Sequence, residues 1–80
     1  MKLIIIYKNG SDDIISDFES VSYVSNGSRK TLTDDLSTFS IADGRTYNFK
    51  GSYQLSVNGS EIKTIALVND YKFFQSSTVQ

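Results

Sequence analysis

The sequence predicts an all-β fold: an antiparallel meander of about six to seven strands, curled into a small barrel or half-barrel, with room for a short helix or helical turn. Recurrent glycine corners, strict side-chain alternation and a glycine inside the longest alternating run carry that reading. The corners are Asn9-Gly10, Asn26-Gly27, Asp43-Gly44 and Asn58-Gly59, with Asn69-Asp70 as a weaker fifth. Two-residue hairpin loops need positive φ at both central positions, which Asn-Gly and Asp-Gly tolerate, and β-rich segments flank each corner. Four corners of this strength predict about four hairpins.

Residues 2–8 are apolar on both faces, with Leu3, Ile5 and Tyr7 on one side and Ile4 and Ile6 on the other. A strand of that composition belongs near the centre, covered on both sides. Val21 to Val24 returns through Asn26-Gly27 to Lys30–Thr33, and Phe39 and Ile41 form a strand before Asp43-Gly44. From Arg45 to Val57 the alternation is unbroken: Tyr47, Phe49, Gly51, Tyr53, Leu55 and Val57 point one way and the polar residues between them the other. That is the pattern of one long strand with one wet face. Gly51 interrupts its apolar row and predicts a bulge or bend that curls the sheet. Glu61 to Val68 also fits helical spacing, and pairing across Asn58-Gly59 favours a strand. Tyr71 to Phe74 form a last short strand, so the domain spans residues 1–75 and residues 76–80 form a flexible polar tail. The helical candidates are a single turn at Asp34–Ser37, capped by its acids, and the segment Asp12–Glu19, where Ile14, Ile15 and Phe18 share a helical face.

Eighty residues make one domain, and a folded chain of this size buries only roughly 60% of the surface its unfolded form exposes. Its core needs support from a disulfide, a structural metal or a partner. The chain has no cysteine and no histidine, so disulfides are impossible and the usual zinc ligands are missing. Self-association is the remaining support. Lys8-Asn9-Gly10 stops the first apolar run before it reaches the length of a secretion signal, and no segment approaches the ~20 apolar residues of a membrane span. A cytoplasmic location is therefore expected, and short, serine-rich, cysteine-free β proteins of this style suit bacterial, phage or mobile-element genomes.

Eight Lys and Arg stand against nine Asp and Glu, a net charge of −1, so no bulk field attracts polyanions. Without histidine the commonest proton carrier is absent; there is likewise no cysteine nucleophile and no phosphate-cradling glycine loop. The chain is expected to be no enzyme, with no cofactor, no metal and no small-molecule substrate. Asp12, Asp13, Asp17 and Glu19 form the densest acidic cluster, yet they lack the alternating pattern of a calcium loop and read as a solvated turn. Asn9-Gly10-Ser11, Asn26-Gly27-Ser28 and Asn58-Gly59-Ser60 match the glycosylation acceptor pattern, but turn chemistry accounts for them.

Two functions of different class follow. The first is a non-catalytic protein-interaction or self-associating module, possible as a homodimer, whose surface consists of Ile4, Ile6, Phe73 and Phe74, apolar residues in excess of what one small core covers. The alternative is an oligonucleotide-binding or cold-shock-like barrel for single-stranded nucleic acid, with Tyr47, Phe49 and Tyr53 stacking bases beside Arg45 and Lys50. Lys50-Gly51 opens like the RNA-binding signature Lys/Arg-Gly-aromatic, but Ser52 stands where the aromatic is required. The same aromatics are the main core material of a domain this small, which ranks the nucleic-acid reading second.

Overall fold

The computed structural model describes residues 1–37 and 39–68, which form seven strands: β1 (Lys2–Tyr7), β2 (Asp12–Ile15), β3 (Ser20–Ser25), β4 (Ser28–Leu32), β5 (Thr46–Lys50), β6 (Gln54–Asn58) and β7 (Ile62–Val68). They build a three-stranded sheet in the order β2-β1-β7 and a four-stranded sheet in the order β4-β3-β5-β6, with every pairing antiparallel. The all-β antiparallel class follows the sequence reading, although several of the strands lie elsewhere than the sequence predicts. The sheets do not close into a barrel: two layers share one core, to which Leu3, Ile5 and Ile15 contribute from the first sheet and Val21, Tyr47 and Phe49 from the second.

Two of the four glycine corners make hairpins. Asn26 (φ 53°) and Gly27 (φ 77°) are both left-handed, which gives the two-residue loop that joins β3 to β4 with Ser25 opposite Ser28. Asn9-Gly10 closes a three-residue loop between β1 and β2: the Gly10 amide donates to the Tyr7 carbonyl (3.0 Å) and the Tyr7 amide to the Ser11 carbonyl (2.9 Å). β1 is central, as its composition predicts, held between β2 and β7.

The other corners do different work. Asp43-Gly44 leads into β5 from an irregular segment, and residues 39–41 form no strand. Their backbone is satisfied by a side chain: the Ala42 amide donates to the Tyr47 hydroxyl (2.8 Å), which donates to the Ser40 carbonyl (3.2 Å). Asn58-Gly59 begins a 3-10 turn, Gly59–Glu61, that carries the chain from one sheet to the other. Asn58 Oδ1 accepts from the Ser60 amide (2.9 Å) and the Gly44 amide (3.3 Å), so asparagine caps here instead of supplying positive φ. β7 consequently pairs with β1, not with β6.

The run from Arg45 to Val57 is two strands, not one. The chain reverses at Gly51-Ser52-Tyr53 and sets Lys50 opposite Gln54. A Cβ on Gly51 would stand 2.6 Å from Ile15 Cγ2 and 2.8 Å from the Ser16 carbonyl, so the glycine marks a close approach between the two sheets, not a bulge. The segment Asp12–Glu19 is not helical either: Asp12–Ile15 pairs with β1 as β2. Around Asp34–Ser37 the Ser37 amide donates to Asp35 Oδ1 (2.9 Å) without a helical turn. The expected corner at Asn69-Asp70, the strand Tyr71–Phe74 and the tail lie outside the described residues.

The Tyr47 ring is wholly buried, meeting Phe39 edge-on at 5.3 Å and Tyr23 at 5.4 Å between centroids. Tyr47→Phe keeps the ring and removes the bridge, leaving the Ala42 amide and Ser40 carbonyl without that partner. A loss of about 1–2 kcal/mol is expected in urea unfolding, and unchanged stability would show that water replaces the hydroxyl. At Gly59 a Cβ would run into the Ala42 carbonyl oxygen and crowd the Tyr47 ring. Gly59→Ala is expected to cost about 1–3 kcal/mol by overpacking, read as a lower urea midpoint with an unchanged slope.

Candidate interaction surface

Alternation along β1 sends Leu3 and Ile5 into the core and leaves Ile4 and Ile6 on the outer face of the three-stranded sheet. Leu3 and Ile5 are fully buried, Ile4 is half-buried and Ile6 is 37% exposed. The second covering layer expected over this strand is absent among the described residues. Register adds neighbours to the row: Ile4 stands opposite Ile14 of β2 and Ala66 of β7, while Ile6 stands opposite Asp12 and Thr64. Ile14 is 50% exposed. Ile14, Ile4 and Ala66 thus form a lateral apolar row across all three strands, with Ile6 and Val68 at its flanks.

Ile14 was not among the surface residues predicted from sequence, because helical spacing grouped it with Ile15 and Phe18. The signal for a strand was present in Asp12–Ile15, where alternation would have placed Ile14 opposite in phase to Ile15. Phe73 and Phe74, the other half of the predicted surface, lie outside the described residues.

Charge frames the row. Lys2, in register with Val68, marks one end of the face, and Asp12, in register with Ile6, marks the other. Asp13 faces the opposite side of β2, where its Oδ2 accepts from the Tyr7 hydroxyl (2.6 Å). Asp17 sits in a turn at φ 52° and Glu19 lies 3.8 Å from Lys50. The predicted acidic cluster is therefore dispersed, and no group of acidic side chains suited to a metal ion occurs among the described residues.

The alternative set does not form one surface. Tyr47 is 0% and Phe49 1% exposed, both in the core, so neither presents a face to a base. Arg45 stacks on the Tyr23 ring at 5.2 Å, Lys50 projects from the outer face of the four-stranded sheet, and Tyr53 lies at the β5–β6 turn with its hydroxyl donating to the Ile14 carbonyl (3.2 Å). Two of the three glycosylation-like asparagines use their side chains locally: Asn9 Oδ1 accepts from both the amide (2.9 Å) and the hydroxyl (2.6 Å) of Ser11, and Asn58 Oδ1 accepts from the Ser60 amide (2.9 Å). No described helix is long and apolar enough to cross a membrane.

Comparison with protein-family models, with curated proteins and with solved structures finds no match.

Burial pushes the Tyr7 hydroxyl above its ordinary range, reinforced by its hydrogen bond to Asp13 and by that carboxylate's charge; burial and then Asp13 raise Tyr53 as well. A raised tyrosine value stabilises the fold fully below the ordinary phenol pKa of about 10, and that contribution is lost as pH climbs through the folded-state value. Asp13→Asn is expected to lower the pH at which Tyr7 ionises in a 295 nm absorbance titration. An unmoved curve would remove Asp13 from the account.

Proposed function

We propose that this chain is a non-catalytic module that self-associates through the outer face of its three-stranded sheet, in a cytoplasmic setting. The row Ile14–Ile4–Ala66, flanked by Ile6 and Val68, supports the reading, because a contiguous apolar face on a small domain is where association removes the most surface from water. Thin core support in a chain of 80 residues points the same way.

The face is self-complementary under a two-fold axis. When the axis lies between two such sheets and perpendicular to the strands, each copy's strand direction is reversed over its partner. Ile4 then meets Ile4 and Ile14 meets Ile14, while Lys2 of one copy lies diagonally above Asp12 of the other, twice over. An axis parallel to the strands would set Lys2 against Lys2. The charges thus favour one of the two simple face-to-face arrangements.

The outward positions from Lys2 to Ile6 span roughly 14 Å along β1, and the three strands roughly 10 Å across. Such a face buries less than the ~800 Å² per partner of a standard interface, so a weak, concentration-dependent dimer is expected. Sedimentation equilibrium from micromolar to millimolar protein tests it. Ile14→Lys should abolish association; Lys2→Asp and Asp12→Lys should each weaken it, and their combination should restore it. A monomer at every concentration overturns the proposal, and failure of the double variant to recover overturns the two-fold arrangement.

A further inference from the structure

The opposite layer carries a second surface of different chemistry. Outward positions on the four-stranded sheet are, almost without exception, hydroxyl, amide or cationic side chains. A hollow of about 410 Å³ lies over β3 to β6, lined by the polar side chains of Ser20, Ser22, Arg29, Thr31, Asn48, Lys50, Gln54 and Ser56, with Phe49 and Leu55 of the strands beneath also reaching it. Among the described residues no carboxylate lines it, in a chain whose acids outnumber its cations by one, nine minus eight. Glu19 approaches from the rim, 3.8 Å from the Lys50 ammonium with both side chains more than half exposed, a pairing too solvated to neutralise the lysine.

The groups in the hollow keep donors available. The Arg29 guanidinium makes one long hydrogen bond, to Ser22 Oγ at 3.3 Å, so most of its five N–H groups are open to a ligand. Asn48 Oδ1 accepts from Ser56 Oγ at 2.6 Å, a bond that uses the amide oxygen and leaves the Asn48 N–H groups as donors. Among the described residues the surface is a set of neutral donors and acceptors beside two cations, with no exposed aromatic.

That composition selects among anionic partners. A nucleic acid or sulfated glycan carries a charge at every unit and is held by many cations through counterion release, and single-stranded nucleic acid also needs stacking faces. Two cations are too few for the first, and for the second the one aromatic at the hollow among the described residues, Phe49, is 1% exposed and offers no stacking face. An acidic peptide segment carries carboxylates at intervals, matched by Arg29 and Lys50, and presents amide groups between them, matched by the serines, threonine, asparagine and glutamine. We propose that the outer face of the four-stranded sheet docks an acidic polypeptide segment of a partner protein, with Arg29 and Lys50 as its carboxylate anchors. This surface lies on the layer opposite the self-association face and does not depend on it.

Fluorescence anisotropy of a labelled peptide of alternating glutamate and glycine, at low salt, tests the proposal, with a glutamine–glycine peptide and an oligo-dT strand as comparison probes. Saturable binding of the glutamate peptide alone is expected, weakened at least tenfold by the pair Arg29→Glu and Lys50→Glu and retained by Arg29→Lys with Lys50→Arg. Lys63→Glu, on the other sheet, reverses charge at one site as each member of that pair does and should leave binding within a factor of two, whereas Arg29→Glu alone and Lys50→Glu alone should each weaken it. Circular dichroism establishes that each variant is folded. Absence of binding overturns the proposal, as does equal binding of the glutamine peptide, equal loss on Lys63→Glu, or oligo-dT binding tighter than the glutamate peptide. Each of these outcomes stands apart from the oligomeric state, which Ile14→Lys changes without touching Arg29 or Lys50.

Discussion

The Tyr47 side chain is the constraint on which the rest of the structure depends. Its ring fills the space between the layers and its hydroxyl takes the place of a missing strand, accepting from the Ala42 amide and donating to the Ser40 carbonyl. Backbone polar groups drawn toward a core must find partners, and a residue of one sheet supplies them to a segment that belongs to neither. The long connection from β4 to β5 can therefore lie against the core, bringing Phe39 and Ile41 with it. Gly59 is fixed by the same packing, because its bare α-carbon sits beside the Ala42 carbonyl and the Tyr47 ring.

With the interior organised in this way, the outer faces of the two sheets are left with opposite chemistry. The three-stranded sheet turns an isoleucine and alanine row to solvent; the four-stranded sheet turns out hydroxyls, amides, Arg29 and Lys50. Each face follows from the pleat, since residues that alternate with core positions must lie outside. An apolar face favours contact with an equally apolar surface, and a polar face that carries Arg29 and Lys50 favours an anionic segment. The two proposed associations use separate layers, so one copy of the chain has room for both.

The sequence showed less of the interaction surface than of the strands. Ile4 and Ile6 were legible because β1 alternates cleanly, whereas Ile14 was obscured by helical spacing shared with Ile15 and Phe18. Tyr47 and Phe49 carried two meanings, base platform and core, and only burial chose between them. The groove over the four-stranded sheet was invisible, because Arg29 and Lys50 are 21 positions apart, 50 minus 29, and come together only when β4, β3 and β5 lie side by side.

By itself the sequence determined the β character of the chain, the central place of β1 and the two tight hairpins at Asn9-Gly10 and Asn26-Gly27, all consequences of local φ preference and side-chain period. Tertiary structure alone decided where the long run from Arg45 to Val57 turns back. Lys50 faces Gln54 across a three-residue loop, so even-numbered residues point outward both before and after the reversal, and a period of two cannot register it. The contact of Gly51 with Ile15 and Ser16 fixes that turn, and the capping of Asn58 sends β7 to β1. Both are contacts between segments distant in sequence, which no local pattern encodes.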